Sequence, residues 1–207
     1  MTLDNISNHI YVINLKERTD RKEHITIQLK NVNCNNYVIF EGVNGNTVTN
    51  PTRLKNGMYG LVNTYLNIYN DWINKSPNDI LIIEDDCVFN ENFNNMLSEY
   101  ISNIPNDWDM IYFGGNHNYH MGNKTQKINN HCIKLNNTYS AHCVLLKNYV
   151  FEELINSIKS FTIENDVMLG SLQKKYNSYS PIIGMTTQIP GFSNIENTMT
   201  DYRWLIK

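Results

Sequence analysis

The sequence predicts an α/β protein, and three observations lead to this class. Short apolar runs alternate along the chain with stretches in which apolar residues recur at helical spacing. The chain has 207 residues, the length of one ordinary domain. Hydrophobic residues make up 41% of it, enough to bury a substantial core. We therefore expect residues 1–207 to form a single α/β domain.

The first predicted elements are a strand and the helix that follows it. His9–Asn14 is a continuous apolar run rich in strand-forming residues, which is typical of a buried strand. Asp20–Glu23 has the spacing of a capping box, in which an acidic cap and a glutamate satisfy backbone N–H groups at a helix start. Ile25, Leu29 and Val32 follow at helical spacing. The prediction is a helix that starts at Asp20.

A second strand, a loop, a long helix and a third strand are predicted next. Tyr37–Phe40 is the strand, and Glu41–Pro51 carries the glycines, threonines and asparagines of a loop. Leu61–Trp72 is amphipathic, with a wide apolar face. Ile80–Ile83 is the most hydrophobic run in the chain, which predicts a buried strand.

The second half continues the alternation. Met110–Phe113 and Ala141–Leu146 are predicted strands, and Tyr149–Ile158 and Asp166–Tyr176 are predicted helices. Between them, Asn116–Asn137 is polar and weakly periodic. A segment of that length without regular structure is commonly functional, so we expect a long functional loop or an irregular excursion.

Charge and hydropathy exclude two classes of partner. Lysine and arginine number 17 and aspartate and glutamate 20, which gives a formal net charge of −3. A chain this close to neutral, without a basic run, is not expected to bind nucleic acid. No stretch approaches the roughly 18 consecutive apolar residues of a membrane span, so no transmembrane segment is expected.

The compartment is predicted from the N-terminus and the cysteines. Met1–Asn8 is polar and includes Asp4, unlike a secretory signal. The four cysteines form no C-x-x-C pair, and a chain of this size does not need disulfides to fold. We expect reduced thiols and a cytoplasmic location.

Three consecutive acids, Glu84, Asp85 and Asp86, directly follow the most hydrophobic strand. At the carboxyl end of a buried strand they repel one another and are partly desolvated, which disfavours ionising all three. A divalent cation removes that penalty, and hard oxygen ligands suit Mg²⁺ or Mn²⁺ together with phosphate oxygens. The alternative is a solvated acidic turn between a strand and a helix.

Asn14, Arg18 and Arg21 lie where the first strand passes into the first helix. Guanidinium groups suit phosphate, and a helix N-terminus favours anions. The alternative is that both arginines are ordinary exposed first-turn residues. Arginine is not the favoured charge at a helix N-terminus, and this conflict points toward an anionic ligand.

Several short segments stand in a defined order along the chain. They are V-I-N-L at 12–15, R-T-D-R at 18–21, F-E-G-V-N-G at 40–45, glycines at 57 and 60, I-L-I-I-E-D-D at 80–86, W-D-M-I-Y-F-G at 108–114, E-N-D at 164–166 and S-N-I at 193–195. In this order the chain resembles glycosyltransferase family 25, which includes lipopolysaccharide, lipooligosaccharide and procollagen galactosyltransferases. The resemblance covers about the whole chain, although each segment alone is a weak signal. One departure is Gly60–Tyr65, where the family's G-C-x-x-S-H reads G-L-V-N-T-Y.

The resemblance implies a GT-A-like, Rossmann-like fold with a central, mostly parallel sheet flanked by helices. It implies an inverting glycosyltransferase that moves a hexose from UDP-galactose or UDP-glucose to a hydroxyl of a glycan or protein acceptor. It also implies Mn²⁺ or Mg²⁺ as cofactor, with Asp86 as first ligand and Glu84 as second. Asp85 would lie nearer the donor sugar.

The resemblance extends to other site residues. Asn14 would contact the nucleoside, and Arg18 or Arg21 would lie near the diphosphate. Asp166 matches the family's late aspartate and would be the general base, although it is equally suited to cap the helix Val167–Tyr176.

Three more residues, Asn116, His142 and Gln188, are candidates for contacting the acceptor or the donor sugar. Two other functions stay open at this point. The chain could be a non-catalytic GT-A-like domain that binds a glycan or a partner, or a metal-dependent hydrolase of nucleotide sugars.

Overall fold

The computed structural model describes residues 1–75, 78–119, 122–195 and 198–201. A short 3₁₀ turn, Leu3–Asn5, precedes the first strand. The α-helices are α1 Thr19–Asn31, α2 Asn56–Trp72, α3 Phe93–Asn103, α4 Asn148–Ile158 and α5 Asn165–Leu172. The strands are β1 His9–Leu15, β2 Val38–Gly42, β3 Ile80–Glu84, β4 Cys87–Phe89, β5 Met110–Tyr112, β6 Gln126–Lys127, β7 Cys132–Lys134, β8 Cys143–Leu146, β9 Ser178–Pro181, β10 Thr186–Gln188, β11 Gly191–Ser193 and β12 Thr198–Thr200.

A mixed sheet organises the fold. Among the described residues, eight strands pair in the order β2-β1-β3-β8-β5-β9-β7-β6. Apart from β8 and β7, which run against their neighbours, these strands share one direction. The predicted α/β class with a mostly parallel central sheet is therefore confirmed.

Helices cover both faces of this sheet, and the sheet divides the core into two layers. In β3, Leu81 and Ile83 pack into the layer that contains residues of α1 and α3. Ile80 and Ile82 pack into the layer that contains residues of α2, α4 and α5. Successive side chains of a strand point to opposite faces, so a strand covered on both sides needs apolar residues throughout. This explains the uninterrupted apolar run.

A small second sheet begins where β3 ends. After Glu84 the chain turns through Asp85 and Asp86 and continues as β4, which pairs antiparallel with β10. In that register Gln188 lies opposite Cys87. A residue distant in sequence is thereby brought beside the three acids.

Two predicted helix boundaries are wrong. Helix α1 begins at Thr19 with Arg18 at the N-cap position, and no side chain caps it. Asp20 is the second residue of the helix and not its cap, and its carboxylate binds the Arg18 guanidinium at 2.8 and 2.9 Å. Helix α5 starts at Asn165 with Glu164 at the N-cap and ends at Leu172, short of Tyr176.

Helix α3, strand β4 and the strands after α5 were not predicted. In α3 the buried residues Phe93, Leu97 and Tyr100 lie on one face, although asparagines between them obscure the pattern. The segment Asn116–Asn137 is not wholly a loop, because it contains β6 and β7.

Within the described residues, none of the helices is both long and apolar enough to cross a bilayer. All four cysteines are free and buried.

Glycines let the loop after β2 pack directly on the start of α2. A Cβ atom added at Gly60 would lie 2.3 Å from the Val43 carbonyl oxygen and 2.7 Å from the Gly45 nitrogen. One added at Gly45 would lie 1.6 Å from the Asn56 carbonyl oxygen. Backbone cannot yield as a flexible side chain does, so these positions exclude any residue larger than glycine.

We predict that Gly60→Ala lowers the free energy of unfolding by about 1–3 kcal/mol, the usual cost of overpacking. The clash with the Val43 carbonyl outweighs the gain in helix propensity, which is about 1 kcal/mol. Urea unfolding followed by circular dichroism measures the change. Gly191→Ala is the matched control, because a Cβ atom there meets nothing within 4 Å. A Gly60→Ala variant as stable as the native protein would contradict this account of the loop.

Candidate active site

A cavity opens at the carboxyl ends of β1, β2 and β3. Ligands of open α/β sheets commonly bind at this edge, because parallel strands end there together. The lining residues come from these strand ends, the start of α2, the start of α5 and the segment around β11 and β12: Ile13, Leu15, Arg18, Arg21, Gly42, Val43, Asn44, Gly45, Gly57, Met58, Leu61, Thr64, Glu84, Asp85, Asp86, Ser140, Glu164, Asn165, Asp166, Gln188, Ser193, Asn194, Ile195 and Thr200.

The guanidinium of Arg21 joins two of the three consecutive acids. Its Nη1 donates to Asp85 Oδ1 at 3.0 Å and to Asp86 Oδ2 at 2.9 Å. These side chains are all largely buried, between 9 and 13% exposed. Arg21 Nη2 also donates to the Phe192 carbonyl at 3.0 Å. Arg21 therefore fixes the turn after β3 and ties it to β11.

Asn14 and Gln188 hold the acids from two other directions. Asn14 Nδ2 donates to Asp85 Oδ2 at 2.7 Å and to the Arg18 carbonyl at 3.1 Å. Gln188 Nε2 donates to Glu84 Oε2 and to Asp86 Oδ1, both at 3.1 Å. Asp85 is thus held by Asn14 and Arg21, while the carboxylates of Glu84 and Asp86 converge on one NH₂ group.

The cavity carries more negative than positive charge. Among the described residues that line it, carboxyl groups belong to Glu84, Asp85, Asp86, Glu164 and Asp166, and guanidinium groups only to Arg18 and Arg21. Burial raises the pKa of Glu84 well above its ordinary value, and the charges of Asp86, Asp166 and Asp85 raise it further. Burial also raises the pKa of Asp85, although Arg21 opposes this. Bringing positive charge into the cavity would relieve this repulsion.

Arg18 lies at the mouth of the same cavity, beside β11. Its Nε and Nη2 bind the Asp20 carboxylate, and its Nη1 donates to Asn194 Oδ1 at 2.7 Å. Its side chain is 21% exposed, compared with 9% for Arg21. Of the two arginines, Arg18 is therefore the more accessible to a ligand.

Asp166 lines the cavity from the first turn of α5. It is the second residue of that helix, so the alternative prediction that it is the N-cap is wrong. Its Oδ2 instead accepts a hydrogen bond from the Ser140 N–H at 2.9 Å. Ser140 has a φ of 64°, a strained conformation for a residue other than glycine. The strained backbone before β8 thus helps to orient the Asp166 carboxylate.

Of the sequence-predicted residues, the structure brings seven to the cavity wall: Arg18, Arg21, Glu84, Asp85, Asp86, Asp166 and Gln188. Asn14, Asn116 and His142 do not line it. His142 is fully buried, its Nε2 lies 3.0 Å from Thr186 Oγ1, and burial lowers its pKa. Asn116 forms an isolated β-bridge with Tyr139.

Thr64, Ser140 and Asn165 are among the polar residues of the wall that sequence reasoning did not assign to the site. Thr64 stands in the segment that departs from the family pattern, and its hydroxyl accepts from Val43 N at 2.8 Å and donates to the Gly60 carbonyl at 2.9 Å. It joins the loop after β2 to α2. A periodicity argument cannot identify such residues, because their role depends on neighbours that are distant in sequence.

The donor set suits a hard cation only in part. The described residues contain no group of three or more histidine, cysteine, aspartate and glutamate side chains that could together hold a metal ion. Glu84 and Asp86 offer two convergent carboxylates with partly buried charge. Mg²⁺ typically takes one or two protein carboxylates and completes its shell with water and phosphate oxygens. The residues present fit a cation that arrives with a phosphate ligand.

The family model of glycosyltransferase family 25 (LPS biosynthesis protein) matches residues 7–76 and 60–163, more than half of the chain. The "Procollagen lysyl hydroxylase and glycosyltransferase" of Acanthamoeba polyphaga mimivirus is 28% identical over 178 residues, which is 71% of this chain and 19% of that protein. The "Putative glycosyltransferase R655" of the same virus is 31% identical over 146 residues, 64% of this chain and 44% of that protein. The chain thus spans less than half the length of either relative.

A solved structure, a glycosyltransferase involved in the glycosylation of the major capsid of PBCV-1, is 11% identical and covers 74% of this chain and 67% of its own. The TM-score is 0.41.

We predict that Glu84→Gln makes the metal-free protein more stable at pH 7 and reduces its pH dependence. Because the pKa of Glu84 is raised in the folded state, that state binds more protons than the unfolded chain above pH 4.5, the group's ordinary pKa. The free energy of unfolding therefore falls as pH rises through this window, and glutamine removes that fall.

Urea unfolding in EDTA at several pH values between 4.5 and 8 measures both effects. Glu91→Gln, at an exposed carboxyl, is the matched control and should follow the native curve. If the free energy of unfolding of Glu84→Gln changes with pH in the same way as that of the native chain, the repulsion among the acids does not act through Glu84.

Proposed function

This chain belongs to glycosyltransferase family 25, and we propose that it transfers a hexose, galactose or glucose, from a UDP-sugar to a hydroxyl of a glycan or protein acceptor. The reaction is metal-dependent and inverts the anomeric centre. The observation that carries the proposal is the excess of carboxylates at the carboxyl end of β3, which converge in one cavity. Such a site attracts a cation, and a cation attracts a diphosphate.

Glu84 and Asp86 are the residues that would hold Mn²⁺ or Mg²⁺. When bound, the ion neutralises the charge that develops on the departing diphosphate. Arg21 positions Asp86 for this role through the 2.9 Å bond, and Gln188 orients both carboxylates. Arg18, the more exposed arginine, supplies positive charge toward the diphosphate.

Asn14 and Asp85 have a positioning role in this proposal. Asn14 is 4% exposed and donates its amide to Asp85, which in turn binds Arg21. The pair holds the guanidinium that orients Asp86. Asp85 also lines the cavity, and in this proposal its carboxylate contacts the donor sugar.

Asp166 is the general base in this proposal. Its carboxylate takes the proton of the acceptor hydroxyl while the hydroxyl oxygen forms a bond to the anomeric carbon. The bond from that carbon to the UDP oxygen breaks, and UDP leaves with the electron pair. Attack on the face opposite the leaving group inverts the anomeric centre. The Ser140 N–H, 2.9 Å from Oδ2, keeps the carboxylate oriented toward the cavity.

We predict that UDP-galactose or UDP-glucose raises the melting temperature of the chain in the presence of Mn²⁺, and that EDTA removes the effect. A ligand that binds only the folded state stabilises it by an amount that grows with the logarithm of the ligand concentration divided by Kd. Thermal shift with a panel of nucleotide sugars measures this. Turnover is then assayed as UDP release with and without hydroxyl acceptors.

The outcomes separate the possible functions. UDP release that rises when an acceptor is added supports a transferase. Release unaffected by any acceptor would indicate a nucleotide-sugar hydrolase, and binding without release would indicate a glycan- or partner-binding domain. An absence of any response to nucleotide sugars would contradict the proposal.

We predict that Asp166→Asn lowers the turnover rate by roughly 100-fold or more, while UDP-sugar binding persists. Asparagine keeps an oxygen that can accept from Ser140 N–H but cannot take a proton. UDP release and thermal shift are measured on the same preparation. Glu99→Gln, an exposed carboxylate outside the cavity wall, is the control and should retain turnover. Near-normal turnover by Asp166→Asn would exclude it as the base.

A further inference from the structure

Asn165 is a buried polar residue of the cavity wall without a protein partner. It is the first residue of α5 and is 2% exposed. Neither its Oδ1 nor its Nδ2 has a hydrogen-bond partner among the described residues. Buried amides are nearly always hydrogen-bonded, and leaving one unpaired destabilises the folded state. This residue therefore requires an explanation that core packing does not provide.

Other buried asparagines in the chain show the normal situation. Asn14 donates to Asp85 and to the Arg18 carbonyl. Asn118, which is 1% exposed, donates its Nδ2 to the Asn137 carbonyl at 2.6 Å. Asn165 differs from both because it lines the cavity while its amide is unpaired. A group that is left unpaired in the wall of a binding cavity is available for a ligand.

The chemistry of the amide limits what that ligand is. Oδ1 only accepts hydrogen bonds and Nδ2 only donates them, so a matching group must do both. A phosphate oxygen at neutral pH only accepts and would leave Oδ1 unpaired. A secondary hydroxyl of a sugar ring both donates and accepts.

The position of Asn165 favours the sugar over the nucleobase, which can also donate and accept. Asn165 is adjacent to Asp166, and both line the same cavity as Glu84 and Asp86. Ser140, which binds Asp166, also lines this part of the wall. Asn165 thus lies beside the groups assigned to the reaction, where the sugar of a UDP-sugar must be.

We propose that Asn165 is a specificity-determining residue that hydrogen-bonds a hydroxyl of the transferred hexose. The inference rests on the proposed function, since it takes a UDP-hexose as the ligand. It assigns to Asn165 the choice between hexoses that differ in one hydroxyl. A site built to bind a hydroxyl rejects sugars that present it wrongly, because the amide then stays unpaired.

Asn165→Leu tests the proposal, because leucine has a similar shape and no polar atoms. Without ligand the variant should melt at the same temperature as the native chain or higher, since an unpaired buried amide has been removed. With Mn²⁺ and UDP alone its affinity should equal that of the native chain. With the preferred UDP-hexose the affinity should fall by about 10- to 100-fold, and the preference between UDP-galactose and UDP-glucose should shrink.

Asn118→Leu is the control for sugar preference, because it removes a buried amide that has a protein partner outside the cavity wall. At the Asn118 φ of 54° leucine is also strained, which adds to the loss of stability. It should lower the melting temperature and leave the preference between the two sugars unchanged. Three results would overturn the proposal for Asn165. They are a lower melting temperature of Asn165→Leu without ligand, an equal loss of affinity for UDP, or an unchanged preference between UDP-hexoses. If the native chain binds no nucleotide sugar, the proposed function itself is wrong. If the native chain binds one and Asn165→Leu gives any of these three results, only the role of Asn165 is wrong.

Discussion

The arrangement of the cavity depends on one buried guanidinium. Arg21 reaches from α1 to the turn after β3 and donates to two adjacent carboxylates from a single Nη1. Without it, Asp85 and Asp86 would be buried side by side with no compensating charge, which is strongly unfavourable. The second terminal nitrogen binds the Phe192 carbonyl, so the same residue also anchors the segment that closes one side of the cavity. Helix, acidic turn and C-terminal segment are therefore positioned together.

The sheet explains why acids can be concentrated at this place. β1 and β3 are buried on both faces and run in the same direction, so they deliver their last residues to one edge. The favourable packing of apolar residues along the strands offsets the cost of placing mutually repelling acidic residues at the strand ends. The strain is distributed over a raised pKa at Glu84, a positive φ at Ser140 and an unpaired amide at Asn165. All three residues line the same cavity. Unfavourable conformations and perturbed pKa values commonly cluster at functional sites.

Much of the fold was predictable from the sequence because local patterns dominate it. The apolar run at Ile80–Ile83 and the wide apolar stripe of Leu61–Trp72 each have one structural solution, and both were confirmed. Helix starts were less predictable: Asp20 has the right spacing for a cap, but the neighbouring Arg18 competes for its carboxylate. The short strands β4 and β10 carry little pattern of their own and depend on pairing with each other.

The candidate site was predictable where residues are adjacent in sequence and not where tertiary contacts decide. Glu84, Asp85 and Asp86 are recognisable as a run of acids, whereas Gln188 was predicted only as a candidate contact to the acceptor or the donor sugar. That Arg21 binds the acids is a consequence of how α1 packs beside β4. Asn165 is one asparagine among many in this sequence, and only the loss of its partners on burial sets it apart.

The central claim is that Glu84 and Asp86 provide half of a cation site that a nucleoside diphosphate completes. Electron paramagnetic resonance of Mn²⁺ titrated into the chain, with and without UDP, tests it most directly by reporting the bound fraction. The account predicts weak binding of Mn²⁺ alone and much tighter binding when UDP is present, with Asp86→Asn removing the difference. Equal Mn²⁺ binding with and without UDP, or a UDP effect that survives in Asp86→Asn, would contradict it.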